Sequence, residues 1–303
     1  MTHLAIRAGR LDLLTVAGLI GLTACSSSQP NLQPDPANLT PVSIPFAALV
    51  GERSFACGQT YDNLGATGSQ ITPTDLRFFV SEVELIDRRG RAVRLQPTTG
   101  DVWSHEGVTL LDFEDGTGPC TNGSAETNTA VRGLAPAGDY NGVRFTLGVP
   151  FDQNHLDHNR QPSPLNVTSM FWAWRSGYKF LRMDFRTSGP ARQLFLHIGS
   201  TECLGADTTA RSATRSCGAP NRARIELPTY RVGQDTVALD LSRLLAGANL
   251  GENHPETARG FMSAASDPDC APIFANLGLP FGATQATRQS TFHVLDRRLA
   301  QAP

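Results

Sequence analysis

Residues able to do chemistry are concentrated at Trp103-Ser104-His105, inside Gly100-Asp101-Val102-Trp103-Ser104-His105-Glu106-Gly107-Val108. In an extended segment, residues two apart point to the same face. The indole of Trp103 and the imidazole of His105 would then stand side by side. Imidazole is the commonest protein ligand for a late first-row metal. An indole only donates its N–H and is no ligand. Opened oxidatively to kynurenine, it would carry an aryl amine and a ketone, and a Trp-x-His strand would become a two-point metal site. Packing at a core or rim is the competing explanation for two such residues, so a third ligand has to come from elsewhere.

His197 suits that role by type and setting. It lies in Leu194-Phe195-Leu196-His197-Ile198-Gly199-Ser200, a strongly β run, and a site on rigid strands holds its geometry. A hydrogen-bonded core histidine is the alternative. His155 and His158, in a polar loop after Pro150, are a second metal candidate. With Asp152 and Asp157 the same loop could take Ca²⁺ or a partner. Phe171-Trp172-Ala173-Trp174 with Tyr178 reads as an aromatic plug between sheets. The acidic turn Leu111-Asp112-Phe113-Glu114-Asp115-Gly116 reads as a buried cap or a cation contact.

The elements that must position these residues are strands. Among 303 residues, 28 are Gly, 20 are Pro and only 18% are charged, which suits a turn-rich β protein. Strands are predicted over 42–50, 76–86, 92–95, 143–149, 179–185, 193–198, 236–239 and 290–295. A short helix is expected over 242–246, with Asp240 or Ser242 as its cap, and helix or loop over 254–279. The fold class expected is all-β: one antiparallel β-sandwich-like domain over 41–303, with a less regular, partly helical C-terminal portion.

The first 24 residues read as a lipoprotein signal peptide. Arg7 and Arg10 precede a mostly apolar run, and Leu22-Thr23-Ala24-Cys25 is a lipobox, making Cys25 the lipidated first residue of the mature chain. Ser26 at the next position favours the outer membrane. Residues 25–40 form a Ser/Pro/Asn-rich linker. No later stretch approaches the roughly 18 apolar residues of a membrane span. The expected location is therefore the periplasmic side of the envelope, anchored to a membrane by lipid.

There are six cysteines, and setting Cys25 aside leaves five. An oxidising compartment favours disulfides. Cys203 and Cys217 enclose a short loop that a disulfide could staple, and Cys57 and Cys120 would make a second, longer-range pair. One cysteine is left over. A net charge of -2 from 26 basic and 28 acidic residues, with no basic patch, argues against nucleic acid. Gly-x-Ser-x-Gly, His-Glu-x-x-His, phosphate-loop, dinucleotide-loop and Cys-x-x-Cys-His motifs are all missing. The chain reads as a binding protein rather than an enzyme.

Several segments resemble the MbnP-like family, extracytoplasmic copper-binding proteins linked to methanobactin operons. They are Thr74-Asp75-Leu76-Arg77-Phe78-Phe79-Val80-Ser81, Leu110 to Gly116, Gly148-Val149-Pro150-Phe151, Pro164-Leu165-Asn166, Met170 to Trp174, Gly177-Tyr178-Lys179-Phe180, and His197-Ile198-Gly199-Ser200-Thr201 before Cys203. The resemblance covers about residues 42–280. It implies copper as the bound metal and a separate di-haem enzyme of the MauG type, akin to cytochrome c peroxidases, that oxidises a tryptophan to kynurenine. Carried onto this chain, Trp103 is the kynurenine precursor, and His105 and His197 are the imidazole ligands. Two neutral nitrogens and a weak third donor suit Cu(I) and leave open positions for Cu(II). The family often has Cys-Met-Ser where this chain has Phe261-Met262-Ser263, which accounts for Cys270 as the unpaired cysteine. A structural or interaction lipoprotein without metal is the alternative.

Overall fold

The computed structural model describes residues 38–98, 100–173, 175–205 and 216–296. The expected signal peptide, Cys25, nearly all of the linker and Trp174 lie outside them. In chain order the strands are β1 Leu39–Val50, β2 Arg53–Ser54, β3 Tyr61–Leu64, β4 Ser69–Asp87, β5 Ala92–Arg94, β6 Gln96–Pro97, β7 Ser104–His105, β8 Val108–Asp112 and β9 Ala130–Pro136. There follow β10 Tyr140–Leu147, β11 Phe171–Ala173, β12 Gly177–Thr187, β13 Gln193–Gly199, β14 Thr201–Cys203, β15 Cys217–Ala219, β16 Ala223–Leu227, β17 Asp235–Asp240 and β18 Phe292–Asp296. The helices are α1 Phe151–Asn154, α2 Leu241–Leu244 and α3 Cys270–Leu277.

Two sheets face one another. The six-stranded sheet runs β18-β17-β1-β9-β6, with β2 beside β1. The ten-stranded sheet is built on β4, which pairs with β10 and β12 along one edge and with β3, β8 and β5 along the other. β1 shows why the sandwich forms. Val42, Ile44, Phe46, Ala48 and Val50 are buried and alternate with more exposed residues, the period of a strand with one wet face. Phe46 meets Phe78 and Phe145 edge-on across the sheets at 6.2 and 5.4 Å, and Phe292 closes the same group.

The all-β sandwich is the fold that the composition implied, with one departure from antiparallel order. β1 and β17 pair in parallel, their connection crossing the ten-stranded sheet. The domain also begins earlier than expected, because β1 starts at Leu39 inside the expected linker. The short helix capped by Asp240 and the C-terminal strand are present, the former with Asp240 accepting from the Ser242 N–H. β3, β8, β9 and β16 went unforeseen.

β4 is the informative strand. From Pro73 to Ser81 it is buried at every position, so both of its faces are covered. Leu76, Phe78 and Val80 enter the core between the sheets. On the opposite face Phe79 joins a second cluster with Val108, Leu110, Leu165, Tyr178 and Phe180. Phe171 and Tyr178 of the aromatic segment pack there, not between the sheets as expected. Phe171 leans on Tyr178, and Trp103 and Val167 border the same cluster. Gly148 permits this layer: its φ is +129° and a Cβ there would lie 2.8 Å from the Phe180 ring.

Candidate functional site

Trp103 lies in the turn just before β7, and His105 is the second residue of that strand. The Leu110 N–H donates to the Trp103 carbonyl at 2.9 Å, and His105 pairs with Val108. Both therefore project on the face that carries the second cluster, with Ser104 on the opposite side bonded to Thr109 at 2.8 Å. Trp103 is half-buried against that cluster, and the His105 side chain is 30% exposed. Glu106 Oε1 lies 3.9 Å from His105 Nε2.

His197 shares that face but not that place. From β7 the strands run β8, β4, β12, β13. Four spacings of about 4.8 Å give about 19 Å across a flat sheet, whereas two nitrogens on one ion of this type stand about 4 Å or less apart. The sheet brings Trp103 and His105 together and sets His197 four strands away.

His197 belongs to a buried row of charge. Asp112, Arg77, Arg182 and His197 are register partners across β8, β4, β12 and β13. Asp75 and Asp184 form the next row. Arg77 Nε donates to Asp75 Oδ1 at 2.9 Å, and Arg182 Nε lies 3.2 Å from the other oxygen. Arg182 also donates to Asp184 Oδ2 at 2.9 Å, and His197 Nε2 stands 2.7 Å from Asp184 Oδ1. Glu114 Oε1 faces Arg77 at 3.8 Å. All seven side chains are buried. Charges so enclosed persist only when paired.

Burial depresses the His197 pKa against the opposing pull of Asp184. Burial also pushes the Asp184 carboxyl up, but His197 and Arg182 overcome it and hold it below the usual carboxylate value. The imidazole is then neutral and gives its Nε2–H to an ionised carboxylate. Nδ1 is left with the lone pair. A carboxylate behind an imidazole is the usual support of a metal-ligating histidine, so His197 has a ligand's orientation, whatever ion it would meet.

Burial raises Asp112 to about 7, with Arg77 opposing and Glu114 reinforcing. The folded chain thus holds a proton there that the unfolded chain releases near pH 4. Asp112 stabilises the fold fully below that value, and the contribution is lost as pH rises through about 7. Asp112→Asn is neutral throughout, and its Oδ1 can still accept the Glu114 N–H. Its thermal stability should climb relative to the parent between pH 4 and 7 and level off above, by at most about 4 kcal/mol. A pH-independent difference would show that Asp112 is not protonated in the fold.

The remaining candidates separate. His155 ends α1 against Cys217, while His158 stacks on Phe171 with ring centroids 4.0 Å apart. The disulfides Cys57–Cys120 and Cys203–Cys217 are both present, and Cys270 is a buried free thiol pushed up to about 12 by burial. The Asp112–Glu114 turn contacts Arg77, not a solvent-facing cation. The charged row itself escaped the sequence reading. Its trace was charge at alternate positions in apolar strands: Asp75-x-Arg77, Asp112-x-Glu114 and Arg182-x-Asp184.

The segments that make this face are those the resemblance rested on, and they match the MbnP family over residues 39–263. The chain belongs to the MbnP family. Its fold is similar to that of MbnP from Methylosinus trichosporium, with a TM-score of 0.74 and 27% identity, covering 85% of this chain and 99% of that one. No curated protein matches the sequence. This MbnP-type chain is an accessory protein and not an enzyme. No helix among the described residues is long and apolar enough to cross a membrane.

Proposed function

We propose that this MbnP-family chain is an extracytoplasmic copper-binding protein, tethered through lipid at Cys25 to the outer membrane. Copper is held by His105 and by a kynurenine formed from Trp103, and His197, four strands away, would hold an ion of its own. A separate di-haem enzyme of the MauG type carries out the oxidation of Trp103. The observation that supports this reading is the pairing of a half-buried indole with a partly exposed imidazole on one strand face. Bound there, copper would sit among nitrogen donors that suit both of its oxidation states. Trp103 is steadied by the cluster beneath it, and His105 remains reachable from solvent. His197 is the demanding member, because its ion would stand four strands from the one at His105.

The test is copper titration of chain produced together with the di-haem enzyme. Copper affinity should fall about tenfold or more in His105→Ala, and the peptide holding Trp103 should gain mass. A matching fall in His197→Ala makes one three-ligand centre. An effect confined to His105→Ala leaves a two-point site. Unchanged affinity in both variants overturns the proposal.

A second reading, a structural or interaction lipoprotein without metal, has its own support. The hydrogen bond of His197 to Asp184 accounts for that imidazole without any metal. It predicts an intact indole at Trp103 and no copper after purification from copper-supplied cells.

A further inference from the structure

We propose that Cys203 and Cys217, once reduced, form with His155 a buried site for a zinc-type divalent ion, independent of the copper site. The two cysteines are register partners in the β14–β15 ladder. His155 Nε2 and both sulfurs lie within 4.8 Å of one another, and all three residues are buried.

The imidazole presents the correct nitrogen. The Tyr178 N–H donates to Asn154 Oδ1 at 2.8 Å, which fixes the amide. Its Nδ2 then stands 3.2 Å from His155 Nε2 and can only donate. Nε2 therefore carries the lone pair, which accepts from Asn154 in the oxidised chain and which an ion would take over from that hydrogen bond, and it is the atom 3.5 Å from Cys217 Sγ. Gly177 lets Asn154 come so close: its φ is +77°, and a Cβ there would lie 2.3 Å from Asn154 Oδ1.

The spacing suits a tetrahedral ion. With Zn–S near 2.3 Å and Zn–N near 2.05 Å, the N···S edge of a tetrahedron is about 3.6 Å and the S···S edge about 3.8 Å. The first is already met at Cys217. The second needs the sulfurs to part from bonding distance, which reduction does. A dithiol supplies two electrons and two protons to the disulfide and leaves as its own disulfide. The ion then displaces the two thiol protons, and two thiolates neutralise a dication in a buried place. A water completes the fourth position. In the oxidised chain neither sulfur carries a thiolate, so the site exists only under reducing conditions.

The test is Zn²⁺ uptake by the full chain, oxidised or reduced with a phosphine, in competition with a chromophoric chelator. The reduced chain should bind one more equivalent than the oxidised chain. Cys203→Ser should abolish that equivalent, and His155→Asn should weaken it about tenfold or more. The double variant Cys57→Ser, Cys120→Ser should retain it, which excludes the other pair of thiols. His105→Ala and His197→Ala should leave it unchanged, separating this site from the copper proposal. No added uptake on reduction, or uptake indifferent to Cys203→Ser or His155→Asn, overturns the proposal.

Discussion

Asp75→Ala should lower the stability of the fold by about 3–5 kcal/mol, the cost of leaving buried charge without its partner. Asp75 has no exposed surface; Arg77, two residues along β4, holds both of its carboxylate oxygens, and Arg182 on the neighbouring β12 lies 3.2 Å from one of them. Removing it leaves Arg77 with Glu114 at 3.8 Å and the Asp112 carboxyl across the ladder, and Arg182 with Asp184, as their acidic neighbours among the described residues. Arg77 and Arg182 are register partners, so they would then face each other as like charges across β4 and β12. In a domain of this size the loss corresponds to about 10 °C in Tm. Thermal unfolding of Asp75→Ala beside Arg88→Ala is the measurement. Arg88 pairs with Asp139 on the open surface, and its removal should leave Tm where it was. Equal and small changes in both variants would mean the buried row carries no structural load.

Opening the Cys57–Cys120 disulfide by a double serine substitution should cost about 4 kcal/mol. The chain-entropy argument sets that figure from the 63-residue separation of the two cysteines. Cys120 is fully buried, and the bond ties the segment before β3 to the one after β8. The latter carries Glu114, against which Gly123 packs so closely that a Cβ would fall on the carboxylate. The bond thus closes a long loop and steadies one end of the charged row. The Cys203–Cys217 bond spans a separation of 14, and breaking it should cost less, about 3 kcal/mol. Denaturant midpoints of the two serine pairs measure the order. A smaller loss at Cys57–Cys120 than at Cys203–Cys217 would contradict the loop-entropy account.

Much of the architecture is legible in the chain because it follows from local rules. The alternation in β1 marks one wet and one dry face. The turn at Arg88-Arg89-Gly90 joins β4 to β5 as a hairpin, with Gly90 at a φ of +75°. Asp240 caps α2 because its short carboxylate reaches the Ser242 N–H at 2.9 Å. Of the strands that went unforeseen, β16 does alternate, with Ala223, Ile225 and Leu227 buried between exposed Arg224 and Glu226, but β8 and β3 lack such marks. β8 is buried at every position and β3 has only four residues, so neither shows a period. The aromatic segment after Met170 read as core because aromatic content reports burial, not the face on which burial occurs.

The chain by itself determined the residue pairs whose partners lie close in sequence. Trp103 and His105 share a face because strand geometry places residues two apart together, and Cys203 and Cys217 could be paired across a short loop. Only the tertiary structure decided what stands beside what across the sheet. The register of β8, β4, β12 and β13 lines up Asp112, Arg77, Arg182 and His197, commits His197 to Asp184, and leaves it four strands from His105. It likewise brought His155 to the Cys203–Cys217 pair. The physical reason is that register comes from the summed packing of whole strands against two cores. No short motif contains that sum.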